Sequence, residues 1–282
     1  SARYFTPGSG VFSYAGEWLA QHQQSTAAMP GSPSLLPVLE PPLAVTVEGL
    51  QRLLSNPVKQ FFQTRLKVQL DREEQALEDH EPFDLSGLTH HAALQQVLDG
   101  ARLSIEPLSL TAALEALPAA LAETTQRLQG EGRLPLAGFG QRWQAALQTD
   151  ALNQLQRWLQ VQAQWPQPVA GGLSVSLAAL ASVGEPLRLP SLYRGDAGLA
   201  MLSLNASRFC NGGKTKLNGK DGLNLSKLKL DKLLGSWVLA SLAALQPEPV
   251  QVVVVARDVT LIWQPRRRDE AMSTVAAWLQ AW

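Results

Sequence analysis

The side chains with the clearest chemical potential lie between Arg208 and Lys232. Seven basic residues stand there (Arg208, Lys214, Lys216, Lys220, Lys227, Lys229 and Lys232) against two acids, in a chain whose 24 Lys and Arg balance 24 Asp and Glu. Gly212-Gly213, Asn218-Gly219 and Asp221-Gly222 mark successive turns within this stretch. Ser226 reads as the N-cap of a following helix, which puts Lys227 and Lys229 in its first turn. Unpaired N–H groups already make that end of a helix partly positive. Lysines there cost a few tenths of a kcal/mol each, roughly, so a folding-only account prefers Asp or Glu. The placement makes sense as a seat for an anion, above all a phosphate. The competing reading is a solvated turn of a variable surface loop.

Other constellations are weaker. Gly213-Lys214-Thr215 resembles the end of a phosphate-binding loop, but Gly-x4-Gly-Lys-Ser/Thr needs a glycine where Arg208 stands. Gly138-Phe139-Gly140 lacks a third glycine. There is no Gly-x-Ser-x-Gly elbow, and Cys210, the only cysteine, has no local histidine. His80, His90 and His91 lie in or near an acidic run from Asp71 to Asp84, without the two-ligand helical spacing of a zinc enzyme. That run reads as a solvated acidic loop, with no metal and no cofactor expected.

The elements that must carry these residues change character along the chain. Residues 1–45 hold Pro30, Pro33, Pro37, Pro41 and Pro42 and read as a proline-rich connecting arm, with Phe12, Tyr14 and Trp18 as anchors. Thr46 is the expected N-cap of a helix carrying Val47, Leu50, Leu53 and Leu54. Asn56-Pro57 breaks it, and Pro57 suits the first position of a second helix bearing Phe61, Phe62, Leu66 and Val68. Helical spacing recurs over 91–100, over 110–129 and, longest, from Phe139 to Val161. Strands follow the Trp165-Pro166-Gln167-Pro168 break: Leu173 to Leu177, Leu187 to Leu189, Leu199 to Leu204, Val250 to Val255 and Val259 to Trp263. After the basic loop, Leu230, Leu234, Trp237, Val238, Leu242 and Leu245 form one helical stripe, with Lys229, Lys232 and Ser236 opposite. A last helix carries Met272, Val275, Ala276 and Leu279. Residues 46–165 are thus expected to be mainly helical. Residues 166–282 should form a four- or five-stranded sheet core with helices on its faces, a mixed α/β class.

Length and composition bound the function. A chain of 282 residues, 45% apolar and 17% charged, can bury a large core. Zero net charge argues against a freestanding nucleic-acid binder with a long-range attractive field, though not against a local basic patch. No apolar run approaches the roughly 20 residues needed to cross a bilayer. A single cysteine precludes an intrachain disulfide and fits a reducing compartment. The chain begins at Ser1 without a methionine and ends at Trp282 inside a helical pattern, as expected of a piece of something longer.

The run from Val47 to Phe62, with its proline ahead of paired aromatics, resembles the helix entering the nuclease-like domains of RecB, AddB and RecC proteins. Arg65-Leu66-Lys67-Val68 and Glu81 to Leu88 resemble the RecC family specifically, the gamma subunits of exodeoxyribonuclease V. So do Gly132 to Gly140, and Lys229-Leu230-Asp231-Lys232-Leu233-Leu234 leading to Trp237 and Leu242. The matches run in order over residues 45–282. The resemblance implies a degenerate restriction-endonuclease-like (PD-(D/E)XK) core within residues 46–282. Active members of that fold hold magnesium with a carboxylate on one strand and an Asp-x-Lys pair on the next. Leu187, Ser203 and Asn205 fall where Asp, Asp and Lys would be needed, and Glu185 is one slip away. A lone carboxylate does not hold the metal, so the domain is expected to be catalytically dead. The resemblance further implies RecB-like and RecD-like partner subunits, DNA ends or separated strands as ligand, the bacterial cytoplasm and no membrane. The alternatives are an active magnesium-dependent nuclease and a docking scaffold that never touches DNA.

Overall fold

Seven consecutive residues of the strand Val250–Ala256 (β6) are buried or nearly so, which a strand tolerates only when both faces of its sheet are covered. The computed structural model describes residues 45–68, 84–177, 186–189, 192–210 and 228–282, all within one compact unit, Pro42–Trp282. Of the expected arm, 1–45, only Val45 lies among the described residues, and it is buried.

The described helices are Val47–Ser55 (α1), Pro57–Thr64 (α2), Gly87–Ile105 (α3), Leu110–Gly130 (α4), Ala137–Gln162 (α5), Leu230–Ala243 (α6) and Arg268–Ala281 (α7). Their starts follow local chemistry. The Thr46 side chain accepts from the Gly49 N–H, and Asn56 accepts from the Lys59 N–H with Pro57 at the first helical position. Leu66 and Val68 fall beyond the end of α2, and Phe61, Phe62, Leu66 and Val68 are all exposed. Gly140, half of the glycine pair noted above, has a packing reason: a Cβ there would sit 2.0 Å from the Pro135 carbonyl oxygen.

The remaining strands are Gln167–Pro168 (β1), Leu173–Val175 (β2), Leu187–Leu189 (β3), Leu192–Gly195 (β4), Gly198–Asn205 (β5) and Thr260–Trp263 (β7). A five-stranded sheet has the order β1-β4-β5-β6-β7, and β2 and β3 pair separately. Among the described strands only β5 and β6 are parallel, in register from Leu199↔Val250 to Asn205↔Ala256, with α6 in the connection between them. Strand β4, which the sequence reading passes over, pairs with β5 across a turn at Asp196-Ala197.

Alternate residues of the parallel pair feed two cores. Ala200, Leu202, Val253 and Val255 face a cluster built by α3, α4 and α5. Leu199, Met201, Val250 and Val252 face one built by α1, α6 and α7. The helical and sheet halves distinguished by composition therefore share their cores. Helix α1 packs on the same side of the sheet as α6, where the Gln51 side-chain amide donates to the Gly235 carbonyl at 3.2 Å.

Helix α6 departs from the expected pattern at its start. It begins at Leu230 with Lys229 as N-cap, and Lys229 makes no side-chain cap bond. Leu228, just upstream, forms an antiparallel bridge with Cys210 and is not helical. Its first turn carries Asp231 beside Lys232, so the pair of first-turn lysines inferred from a Ser226 cap is not what opens this helix. Leu230 is 77% exposed, while Ser236 is buried and donates its hydroxyl to the Leu233 carbonyl. The reason is that α6 is covered by α1 as well as by the sheet, so small residues are needed on a face that a one-sided helix would leave polar.

Candidate functional site

Ligands of open α/β sheets gather outside the carboxyl ends of parallel strands. Here that edge is formed by Asn205 to Cys210 after β5 and by Arg257 and Asp258 after β6. Helix α5 builds its floor through Asp150, Gln154 and Arg157, which recur at helical spacing on one face. Gln154, fully buried, donates from Nε2 to the carbonyl oxygens of Asn205 and Val255, at 2.8 Å each. Arg157 donates to the carbonyls of Ala256 (2.7 Å) and Arg257 (2.9 Å) and to Thr260 Oγ1 (3.2 Å). Burial lowers the Arg157 pKa, and the Asp258 carboxylate works against that. Asp150 pairs with the Arg257 guanidinium.

Adjacent His90 and His91 both reach this edge. His90 packs edge-on against Trp143 at 5.3 Å between ring centroids, and its Nδ1 lies 3.5 Å from Arg257 Nη1. Its pKa is lowered, chiefly by burial and then by the Arg257 charge, with Arg208 and His91 adding to the effect and Asp150 opposing it. His91 Nε2 lies 3.0 Å from Ser207 Oγ. No cluster of three or more His, Cys, Asp or Glu suited to a metal ion occurs among the described residues.

The base of the basic loop is tied to the same edge. Phe209 and Cys210 donate their N–H groups to the two carboxylate oxygens of Asp258, at 2.8 and 2.9 Å. The Lys229 N–H returns to the Phe209 carbonyl at 2.8 Å, and Cys210 pairs with Leu228. The described residues on either side of 211–227 therefore meet at one antiparallel pinch. Phe209, Cys210 and Leu228 pack there with Val254, Ala256 and Val259. Of the expected cationic residues, exposed Arg208, part-exposed Lys229 and exposed Lys232 flank the pinch. Lys214, Lys216, Lys220 and Lys227, together with Ser226 and the Gly213-Lys214-Thr215 motif, lie outside the described residues.

The three positions expected to replace nuclease acids, Leu187, Ser203 and Asn205, are divided between sheets. Ser203 and Asn205 occupy β5, side by side with Val254 and Ala256 of β6. The Asn205 side-chain oxygen accepts from the Ser207 N–H at 2.8 Å. Leu187 belongs to the β2–β3 pair, opposite Val175, and is buried in the same apolar cluster as Leu199 and Met201. Glu185 and most of the acidic run, with His80, lie outside the described residues.

Sequence reasoning missed the α5 side of this edge. It took from this helix only its spacing between Phe139 and Val161, and left Arg257 and Asp258 as the gap between two strands. The available signal was the polar series Asp150, Gln154 and Arg157 at intervals of four and three, flanked on the helix by buried Leu147 and Leu155.

Comparison with known sequences supplies the family. A model of the RecC C-terminal domain matches residues 42–282. The RecBCD enzyme subunit RecC of Escherichia coli (strain K12) is 40% identical over 87 residues, which is 31% of this chain and 8% of that protein.

Proposed function

Because the chain belongs to the RecC C-terminal domain family, we propose that it is the non-catalytic C-terminal domain of a RecC-type subunit, acting through contacts with DNA ends and partner subunits. Its setting is a RecBCD-type helicase–nuclease of the bacterial cytoplasm, with RecB-like and RecD-like subunits, in double-strand-break repair and recombination. Its sheet core is a restriction-endonuclease-like one that has lost its metal-binding acids. Apolar Leu187 and neutral Ser203 and Asn205 support that reading, because none of them supplies a carboxylate to a divalent ion.

The observation that carries the DNA contact is the pinch. It fixes the root of a lysine-rich loop, Arg208 to Lys232, to the carboxyl edge of the parallel pair, where the ends of β5 and β6 and Arg257 converge. Arg208, Lys214, Lys216, Lys220, Lys227, Lys229 and Lys232 supply the phosphate contacts. Exposed Phe61, Phe62, Leu66 and Val68 support subunit contact elsewhere on the same domain.

The test is binding of a duplex end by the assembled complex across a salt series, with and without Arg208→Ala/Lys229→Ala/Lys232→Ala. Loss of affinity at low salt is expected, with a log–log salt slope shallower by about 0.9 per lost contact on duplex, or about 0.7 on a single strand. Unchanged affinity and slope would mean that the domain is a docking scaffold without DNA contact.

A further inference from the structure

Among the described helices, α2 alone has no buried residue. Nothing between Pro57 and Val68 belongs to the apolar clusters that hold the other helices. A helix of eight residues is marginal in water by itself and is ordinarily held by packing along one face. Here the hold comes from one end: Asn56 closes α1 and caps α2, while the body of α2 stays uncovered.

The uncovered face is apolar and shaped in advance. Val58, Phe61 and Phe62 stand at i, i+3 and i+4, share one side of the helix, and are 65%, 46% and 40% exposed. The two rings meet edge to face, 6.2 Å apart between centroids, and so present one aromatic unit. Lys67 then adopts a φ of 56°, a left-handed conformation that a lysine seldom takes, and the chain turns back. The Leu66 and Val68 N–H groups donate to the Phe61 and Phe62 carbonyls at 3.3 and 3.0 Å. That return ties two further exposed apolar residues to the aromatic end of the helix.

The charge around this knob has one sign. Lys59, Arg65 and Lys67 stand between Pro57 and Val68, with no acid among them. None of the three engages its side chain in an ion pair or hydrogen bond among the described residues. Those charges narrow the choice of occupant. A second copy of this chain would set like charges against each other. A nucleic acid would answer the cations but not Val58, Leu66 and Val68, which have no ring to stack on a base. A protein groove that is apolar at its centre and carries carboxylates at its rim answers both.

We infer that α2 and the Lys67 turn form a docking knob for an apolar groove rimmed by Asp and Glu on a partner subunit. This rests on the reading of the chain as a domain of one subunit in a larger complex. It adds where a partner sits and which chemistry recognises it.

The test titrates the full subunit that carries this domain against each of its partner subunits across a salt series, with Phe61→Ala/Phe62→Ala and with Lys59→Glu/Arg65→Glu. None of the four side chains is buried, so both variants are compatible with folding, and melting curves check it. The aromatic variant is expected to weaken association with one partner about tenfold or more at every salt concentration. Charge reversal is expected to weaken it at low salt and progressively less as salt screens the contact. Unchanged association in either variant overturns the inference. Loss of DNA binding with association intact overturns it and makes the face a nucleic-acid surface. Self-association of the wild-type subunit that the aromatic variant abolishes, with partner binding intact, overturns it in favour of a second copy. If wild type and variants join the partners equally well, only the docking knob falls. If the wild-type subunit joins none of them, the subunit reading falls with it.

Discussion

The side-chain amide of Gln154 holds the last carbonyl of β5, that of Asn205, at 2.8 Å, and with the same nitrogen holds Val255 of β6. One fully buried helix residue therefore ties together the ends of the two parallel strands from which the candidate site emerges. Replacing it by alanine leaves two carbonyls without that donor and opens a cavity. Gln154→Ala is expected to cost about 2–3 kcal/mol, read as a lower urea midpoint at unchanged m. Gln154→Glu should be worse at neutral pH, where a carboxylate can only accept, and should recover in acid once it protonates and can donate again.

Asp258 holds the loop root through two main-chain N–H groups. Asp258→Ala removes both charge-assisted bonds, and a loss of about 2 kcal/mol is expected. Hydrogen exchange should localise it: the Phe209 and Cys210 amides lose protection while amides of α4 keep theirs.

His90 makes the fold sensitive to acid. Its folded pKa is lowered, so below about 6.5 the unfolded chain binds the proton more readily than the folded one. Stability contributed by neutral His90 is therefore present at neutral pH, falls as pH drops below about 6.5, and levels off beneath the lowered folded value. Arg257, Arg208 and His91 face it with like charge, and only Asp150 opposes them. Melting curves of His90→Gln should be flatter than wild type in that window. Identical pH dependence would remove His90 as the cause.

Leu187 and Ser203 should differ in tolerance. Leu187→Asp buries an unpaired carboxylate among Val175, Leu189 and Met201, and a cost of about 3–5 kcal/mol is expected. Ser203→Asp, on a part-exposed position, should cost about 1 kcal/mol. Equal costs by chemical denaturation would show that Leu187 is not the packed residue described here.

Incubation of the chain with linear DNA and magnesium or manganese should leave the DNA intact. Cleavage that disappears on Glu185→Ala would make the domain an active nuclease and overturn the non-catalytic reading.

Much of the fold was legible because local chemistry settles it. Thr46 and Asn56-Pro57 mark helix starts by their capping atoms, and the valine run of β6 announces a strand covered on both faces. Strand β4 was not legible. Its Leu192-Tyr193-Arg194-Gly195 is too short to show a period, and its partner is reached only through the turn at Asp196-Ala197. The start of α6 was misread because Ser226 looks like a cap locally, whereas Leu228 is claimed by a tertiary bridge to Cys210. The site suffered most for the same reason. Asp150, Gln154, Arg157, Arg257 and Asp258 act by gripping backbone groups and each other across 48 to 107 residues of chain, and single-sequence spacing carries no trace of those partners.

The pinch at Cys210 and Leu228 also bears on how such domains diversify. Because both ends of the excursion are pinned to the same spot, lengthening it adds only the slow logarithmic term of ring closure, about 0.6 kcal/mol for each doubling. The scaffold behaves as a socket: the sequence between Cys210 and Leu228 can be exchanged, extended or recharged at little cost to the register of the layers that hold its two ends.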